Sequence, residues 1–273
     1  MDSKNCGMVN NITVNNGNVI INGCHGNPII PCIDKEPFYN ANLYDSCGAI
    51  HNTLIEKMRI CTNEKKEKEH PEEIDLKWCF DVSSDVLEQL WAFKRKPFFN
   101  NTKSLIDDAA DGFVNYISTL TLDSENKSML IKLFNELKGI SENEIDDYSE
   151  WKKVIIKYEN DILKKDNLFD NEVAIVLSSL SVLRFSLFYW HDNINEDSSS
   201  AVMAKKEKGK VWKKIVMGLA DAAGAIGGGV TGAAAGTAAL PGAGTVIGAV
   251  SGAITGATAA SNAVATLWDN YKK

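Results

Sequence analysis

Charge is what the last quarter of the chain lacks. From Ala222 to Trp268, 47 residues pass without an Asp, Glu, Lys or Arg, which excludes an ordinary solvated surface helix over that stretch. Cysteine is absent beyond Cys79; all six (Cys6, Cys24, Cys32, Cys47, Cys61 and Cys79) fall in the first 79 residues. The opening MDSKNCGMVNN has no basic n-region and no apolar h-region. An ordinary secretory signal is therefore not expected, and the thiols are expected reduced at synthesis. The protein is expected to be made in the cytoplasm and to reach a membrane, or the exterior, by a signal-independent route. No strand-and-helix alternation occurs, which argues against a parallel α/β fold, and no repeat of 20–50 residues occurs outside the tail. Hydrophobic residues at 44% and charged residues at 24% exclude wholesale disorder.

What is present divides into unlike regions. Residues 205–273 carry eight lysines against Glu207, Asp221 and Asp269, a net charge of +5. The preceding 204 residues hold 21 basic and 33 acidic side chains, a net of −12, within a whole-chain −7. An acidic body argues against nucleic acid as a partner, because phosphate neutralisation needs clustered Lys and Arg.

Within the charge-free stretch, glycines recur every fourth residue. Gly224, Gly228, Gly232 and Gly236 form one set, and Gly244, Gly248, Gly252 and Gly256 another, separated by Leu240, Pro241 and Gly242. A four-residue step on an α-helix drifts by only about 40°, so each set makes a flat groove along one face. Such grooves let two helices approach backbone to backbone, as small-xxx-small pairs do in membranes. Pro241 and Gly242 supply the turn. The tail thus reads as a helical hairpin with arms near 215–239 and 243–268.

Eight glycines cost roughly 8 kcal/mol of helix propensity relative to alanine, so the arms need close packing or lipid to form. Each arm is long enough for a bilayer core of about 30 Å. Ile226 and Val230 are the large aliphatics of the first arm after Ala222; the second has Val246, Ile247, Val250, Ile254, Val264 and Leu267. Such a hairpin is marginal as a committed span. It is expected to be soluble when sheltered and to insert when released. Lys205, Lys206, Lys208, Lys210, Lys213 and Lys214 before it, with Lys272 and Lys273 after it, would gather at one anionic membrane face. Trp212 and Trp268 sit where interfacial aromatics belong. The competing reading is a Gly/Ala-rich pair packed on the body with its lysines solvated.

The fold class expected is mainly α, with a head over 1–42, an all-α body over 43–193, a polar linker over 194–210 and the hairpin over 211–273. In the head, Asn15-Asn16-Gly17-Asn18 between apolar residues signals a β-hairpin, followed by an extended strap through Pro28, Pro31 and Pro37. In the body, helices are expected over 43–63, over 86–93 capped by Ser83 or Ser84, and over 105–120. Another is expected after the Asp123 or Ser124 cap, ending at Gly139, and one after a Ser141/Glu144 capping box. Val173 to Trp190 is apolar on all sides apart from Arg184. It reads as a buried central helix, with a short membrane span as the alternative. Arg184 is expected to snorkel at an edge or to pair with a body carboxylate.

Candidates for chemistry are few. Cys47 and His51, four residues from each other on a single helix, would allow a thiolate–imidazole pair; a His51-Asn52 pair bridging helices is the plainer reading. His25, His70 and His191 are expected in polar loops, and Asp107-Asp108 and Asp146-Asp147 on solvated helical faces. Cys24-His25 with Cys32 lacks the spacing of a zinc site. The six cysteines allow 15 disulfide connectivities. Gly227-Gly228-Gly229 has no preceding strand and no following Gly-Lys-Ser/Thr, so it is not a phosphate loop. No catalytic residue, cofactor or metal is assigned, and the chain is not read as an enzyme.

Two resemblances follow from these residues. Trp212-Lys213-Lys214 followed by the glycine-zipper tract resembles the membrane-permeabilising segments of class II bacteriocins, over about the last 60 residues. The stretch carrying Tyr44, Asp45, Gly48, His51 and Asn52, with the tail, resembles a group of Bacteroidetes proteins that combine a helical body with a C-terminal glycine-zipper tail. Those proteins often carry a secretion signal, from which this chain departs, and the group brings no established activity. The resemblance to bacteriocins implies a pore-forming antibacterial toxin. The expected partners are an anionic lipid bilayer, further copies of the chain through the glycine faces, and an immunity or carrier protein.

Overall fold

Apolar residues three and four positions apart, with polar side chains at the helix starts, account for the helices of the protein. The computed structural model describes residues 12–15, 18–21, 37–69, 78, 81–83, 109–165, 170–196, 210–239 and 243–271. The fold is mainly α. Helices of eleven residues or more among the described residues are α1 (Ser46–Glu69), α2 (Ala109–Thr119), α3 (Ser124–Glu142), α4 (Tyr148–Leu163), α5 (Asn171–Glu196), α6 (Lys210–Ala239) and α7 (Ala243–Tyr271).

Two of these helices show how local chemistry sets their limits. Asp123 caps α3 by accepting from the Asn126 backbone N–H at 2.6 Å. Leu130, Leu133, Phe134 and Leu137 then fall on its buried face. Gly139 does not stop α3, and Ser141 with Glu144 does not start α4. The helix runs three residues past Gly139, and Glu144 takes the left-handed conformation at φ 54°. The Glu144 N–H reaches the Ser141 carbonyl at 2.9 Å and the Ile145 N–H the Ile140 carbonyl at 3.2 Å. This is the Schellman pattern, with a glutamate where glycine is usual. The cap of α4 is Asp147, which accepts from the Ser149 N–H at 2.8 Å. Asp146 and Asp147 therefore lie in the loop before α4, not on a helical face. His191 lies on α5 rather than in a loop.

Helix α5 is the centre of the molecule. Every residue from Val173 to Leu187 is buried, and α1, α4, α6 and α7 all pack on it. Side chains of the body (Leu54, Phe134, Trp151, Leu177) and of the tail (Ile215, Ile226, Ile254) belong to one continuous apolar core. Asn171–Ile194 and Val211–Ala238 are long and apolar enough to cross a membrane, and both are mostly buried within the protein. Neither lies near the N-terminus.

Arg184 is fully buried rather than snorkelling. It donates to Glu159 at 3.0 and 3.2 Å, to Asp45 and to the Pro37 carbonyl. Asn42 donates to the same Glu159 at 2.7 Å and to the Leu177 carbonyl at 3.0 Å. Residues 37–45 are thereby tied across α4 and α5, with Phe38 edge-on to Phe185 at 4.9 Å. The rest of the strap, the helix expected over 86–93, Asp107-Asp108, most of the linker, and Cys6, Cys24, Cys32 and Cys79 lie outside the described residues. His25 and His70 do as well.

Candidate functional site

The two tail helices make the most extensive helix–helix contact in the protein. Their glycines meet in pairs placed symmetrically about Leu240: Gly224 with Gly256, Gly228 with Gly252, Gly232 with Gly248, and Gly236 with Gly244. A Cβ added to Gly224 would lie 2.5 Å from the Gly256 carbonyl oxygen. At the other three pairs the added atom would press still harder on the opposite backbone. Each side of the zipper therefore needs the missing side chain of the other, which is why the period persists through both arms. Near the turn, the Thr237 and Thr245 hydroxyls are 2.7 Å apart. Pro241 and Gly242, expected to form the turn, lie outside the described residues.

The triplet Gly227-Gly228-Gly229 lies inside α6, not in a loop, and its members face three different neighbours. Gly228 meets α7, Gly227 lies under the Tyr116 hydroxyl of α2, and Gly229 lies against Ile175 of α5. Successive residues of a helix point about 100° apart, so three consecutive glycines let three helices close on a single point of α6. Nearer the start of α6, Gly218 likewise admits Leu187 and Leu183 of α5.

Burial is uneven along the hairpin. From Val211 to Gly227 and from Gly256 to Ala265 nearly every residue is covered. Ala234, Thr237, Ala238 and Ile247, next to the turn, are exposed, Ile247 to 44%. The base of the hairpin is enclosed by the body, and exposure rises toward the turn among the described residues.

The flanking residues divide likewise. Lys214, expected at a lipid surface, is completely buried and sits on both carboxylate oxygens of Asp146, at 2.8 and 2.9 Å. It is withheld from any headgroup while that pair holds. Lys213 is partly buried, and Trp212 is partly buried against the core. Lys210 opens α6. Lys205, Lys206, Lys208, Lys272 and Lys273, and the side chains of Lys210 and Trp268, lie outside the described residues.

A polar cluster that sequence reasoning missed joins the arms to the body. Asp221 of α6 accepts from Ser186 and from Trp190 Nε1 (3.2 Å), both on α5, and from Ser261 of α7 (3.0 Å). His51 Nε2 of α1 stands 3.8 Å from the same oxygen. All these groups are buried, and Asp221 Oδ1 and His51 Nε2 have no hydrogen-bond partner. Farther along α7, Thr62 donates to Asn262 at 2.9 Å and Asn262 to Ser83 at 2.9 Å.

Cys47 and His51 do not form a nucleophile pair. The Cys47 thiol points to Ser178 Oγ at 3.6 Å, and burial pushes it up to about 12. Burial pushes His51 down to about 4, and its Nδ1 pairs with Asn52 Oδ1 at 3.1 Å. Asn52 in turn donates to the Phe185 carbonyl at 2.8 Å, so the His-Asn pair bridges α1 to α5. Tyr44, Asp45 and Gly48 belong to the same seam. The Gly48 N–H donates to Ser181 Oγ at 3.0 Å, and a Cβ at Gly48 would strike Phe185. Cys47 is a buried, free thiol. Among the described residues no cluster of three or more His, Cys, Asp or Glu is arranged to hold a metal ion. Comparison with protein-family models, with curated proteins and with solved structures found no match to this chain.

Proposed function

We propose that the protein is membrane-active: its C-terminal glycine-zipper hairpin is stored against the helical body and enters or permeabilises an anionic bilayer when released. One observation carries this reading. A charge-free hairpin, closed by eight glycines, keeps its base in the protein and exposes Ala234, Thr237, Ala238 and Ile247 to solvent. Backbone-to-backbone closure is the geometry that survives transfer to lipid, because it relies on packing rather than on exclusion of water. The lysines before and after the hairpin would gather at the headgroups, each contributing about 1 kcal/mol. A bacteriocin-like or effector-like antibacterial role, with an immunity or carrier protein and packing of further copies through the glycine faces, is the concrete form of the proposal. The head, as β-hairpin and strap, and the linker over 194–210 belong to the same reading, and no catalytic step is assigned.

The second reading makes the hairpin a permanent packing element of a scaffold or interaction protein. The apolar core shared by tail and body favours it.

Dye release from vesicles of phosphatidylglycerol and phosphatidylcholine separates the two. Gly236→Leu and Gly244→Leu wedge the arms apart only beside the turn, where the body does not cover them. The full-length parent should release dye and both variants should lose at least about tenfold in rate with unchanged helicity. Equal release by parent and variants, or none by the parent at any lipid concentration, would leave the packing role.

A further inference from the structure

A fully buried carboxylate of the tail sits where a purely structural hairpin would have an apolar residue. Asp221 is the last charge before the 47-residue charge-free run, and it is fully buried at the level where α1, α5, α6 and α7 meet. One oxygen collects hydrogen bonds from two elements. Ser186 and Trp190 come from the body helix α5, and Ser261 comes from the other arm of the hairpin. The second oxygen has no partner, and neither has the facing His51 Nε2. Removing this acceptor would leave the Ser186, Trp190 and Ser261 donors buried without a partner, which is costly. Its geometry is that of a fastening. A single side chain holds α6 to α5 and α6 to α7, and breaking it loosens both arms at once.

We propose that the Asp221 cluster is a latch that keeps the hairpin in its stored form, and that its opening is the step that frees the arms. This rests on the membrane reading above for its purpose, but not for its detection. The charged groups around it are consistent with a local device. Asp221 faces His51 on α1, Ser186 and Trp190 on α5 and Ser261 on α7, and the nearest buried tail cation, Lys214, is already committed to Asp146. The latch holds the base of the hairpin, whereas the exposed tip around Ile247 needs no release. Opening from the base would present the apolar arms together, as a closed zipper, because the glycine contacts between α6 and α7 do not pass through the body.

The test uses the full chain and two readouts. Asp221→Ala removes the acceptor, and the Ser186→Ala/Ser261→Ala pair removes two donors while leaving the carboxylate. Asp221→Asn keeps an acceptor of the same shape. Without lipid, amide exchange over 215–239 and 243–265 should rise by about tenfold or more in the first two variants. Exchange in α4, which packs on the far side of α5, should be unchanged. Asp221→Asn should stay nearer the parent. With the same anionic vesicles, the first two variants should release dye faster than the parent. Exchange in the arms identical to the parent's, or a uniform rise that includes α4, overturns the latch. Dye release that depends on Gly236 and Gly244 but is indifferent to these variants removes the latch and keeps the membrane reading. Faster arm exchange with no dye release from any form keeps the latch and removes the membrane reading.

Discussion

At the scale of single residues, the chain places its few buried charges where several elements must agree. Arg184 serves Glu159, Asp45 and the Pro37 carbonyl together, and Asn42 fills the remaining side of Glu159. Burial by itself would lower the basicity of the guanidinium, but Glu159 and Asp45 raise it, so it stays charged. Removing one partner of such a pair is far worse than removing both, because it strands a buried charge. Arg184→Met should therefore destabilise by about 3–5 kcal/mol in urea unfolding. The double variant Arg184→Met/Glu159→Gln should recover a substantial share of that loss. A smaller effect of opposite sign is expected at Gly139, where an added Cβ meets nothing within 4 Å inside α3. Gly139→Ala should stabilise by about 0.5–1 kcal/mol, read in the same way. Cys47 gives a chemical check of the same kind. Completely buried, with its thiol held up at about 12, it should resist iodoacetamide at pH 8 until the protein is unfolded. Rapid native alkylation of Cys47, located by peptide mass, would contradict the packing of α1 on α5.

Elements were legible in the sequence where periodicity is strong and local. Leu130, Leu133, Phe134 and Leu137 define α3 by themselves, Asp123 marks its start, and the four-residue glycine step marks both arms of the hairpin. The errors came at helix ends, where a backbone conformation decides and composition does not. Gly139 has the residue type of a stop but sits in open space within the helix, whereas Glu144 takes the conformation usually left to glycine. Ser141 and Glu144 read as a start because their types match a capping box and carry no mark of a left-handed helix end. The polar fastenings of the tail left no trace at all. Ser186 is 35 residues from Asp221, and Thr62 is 200 from Asn262. No periodicity spans such separations, so a buried Asp and an ordinary solvated one look alike in the sequence. Lys214 shows the same limit. It belongs to a run of flanking lysines, yet it alone among those whose burial is described is wholly enclosed, because Asp146 waits in the loop before α4.

At the scale of the whole molecule, the question is what the body is without the hairpin. Helix α5 is covered on one side by α1 and α4 and on the other by the tail. Ile175 meets Gly229, and Leu183 and Leu187 meet Gly218. Uncovering three such side chains forfeits about 5–9 kcal/mol of burial at 1.5–3 kcal/mol each. A domain of this size has a total stability of about 5–15 kcal/mol, so the loss is of the same order as the whole. A chain ending at Ser200 should therefore keep much of its helical far-ultraviolet signal, because α3 and α4 still pack on each other. It should nonetheless bind a hydrophobic dye and self-associate at concentrations where the full chain does neither. If the truncated chain were instead soluble, monodisperse and silent toward the dye, the tail would be an appendage and the core it shares with the body would be dispensable. The distinction matters for any membrane assay. An uncovered α5 is itself long and apolar enough to enter a bilayer. Leakage by the truncated chain would then report α5 and not the hairpin. Full-length variants at Gly236 and Gly244, which leave α5 covered, are the controls that isolate the zipper.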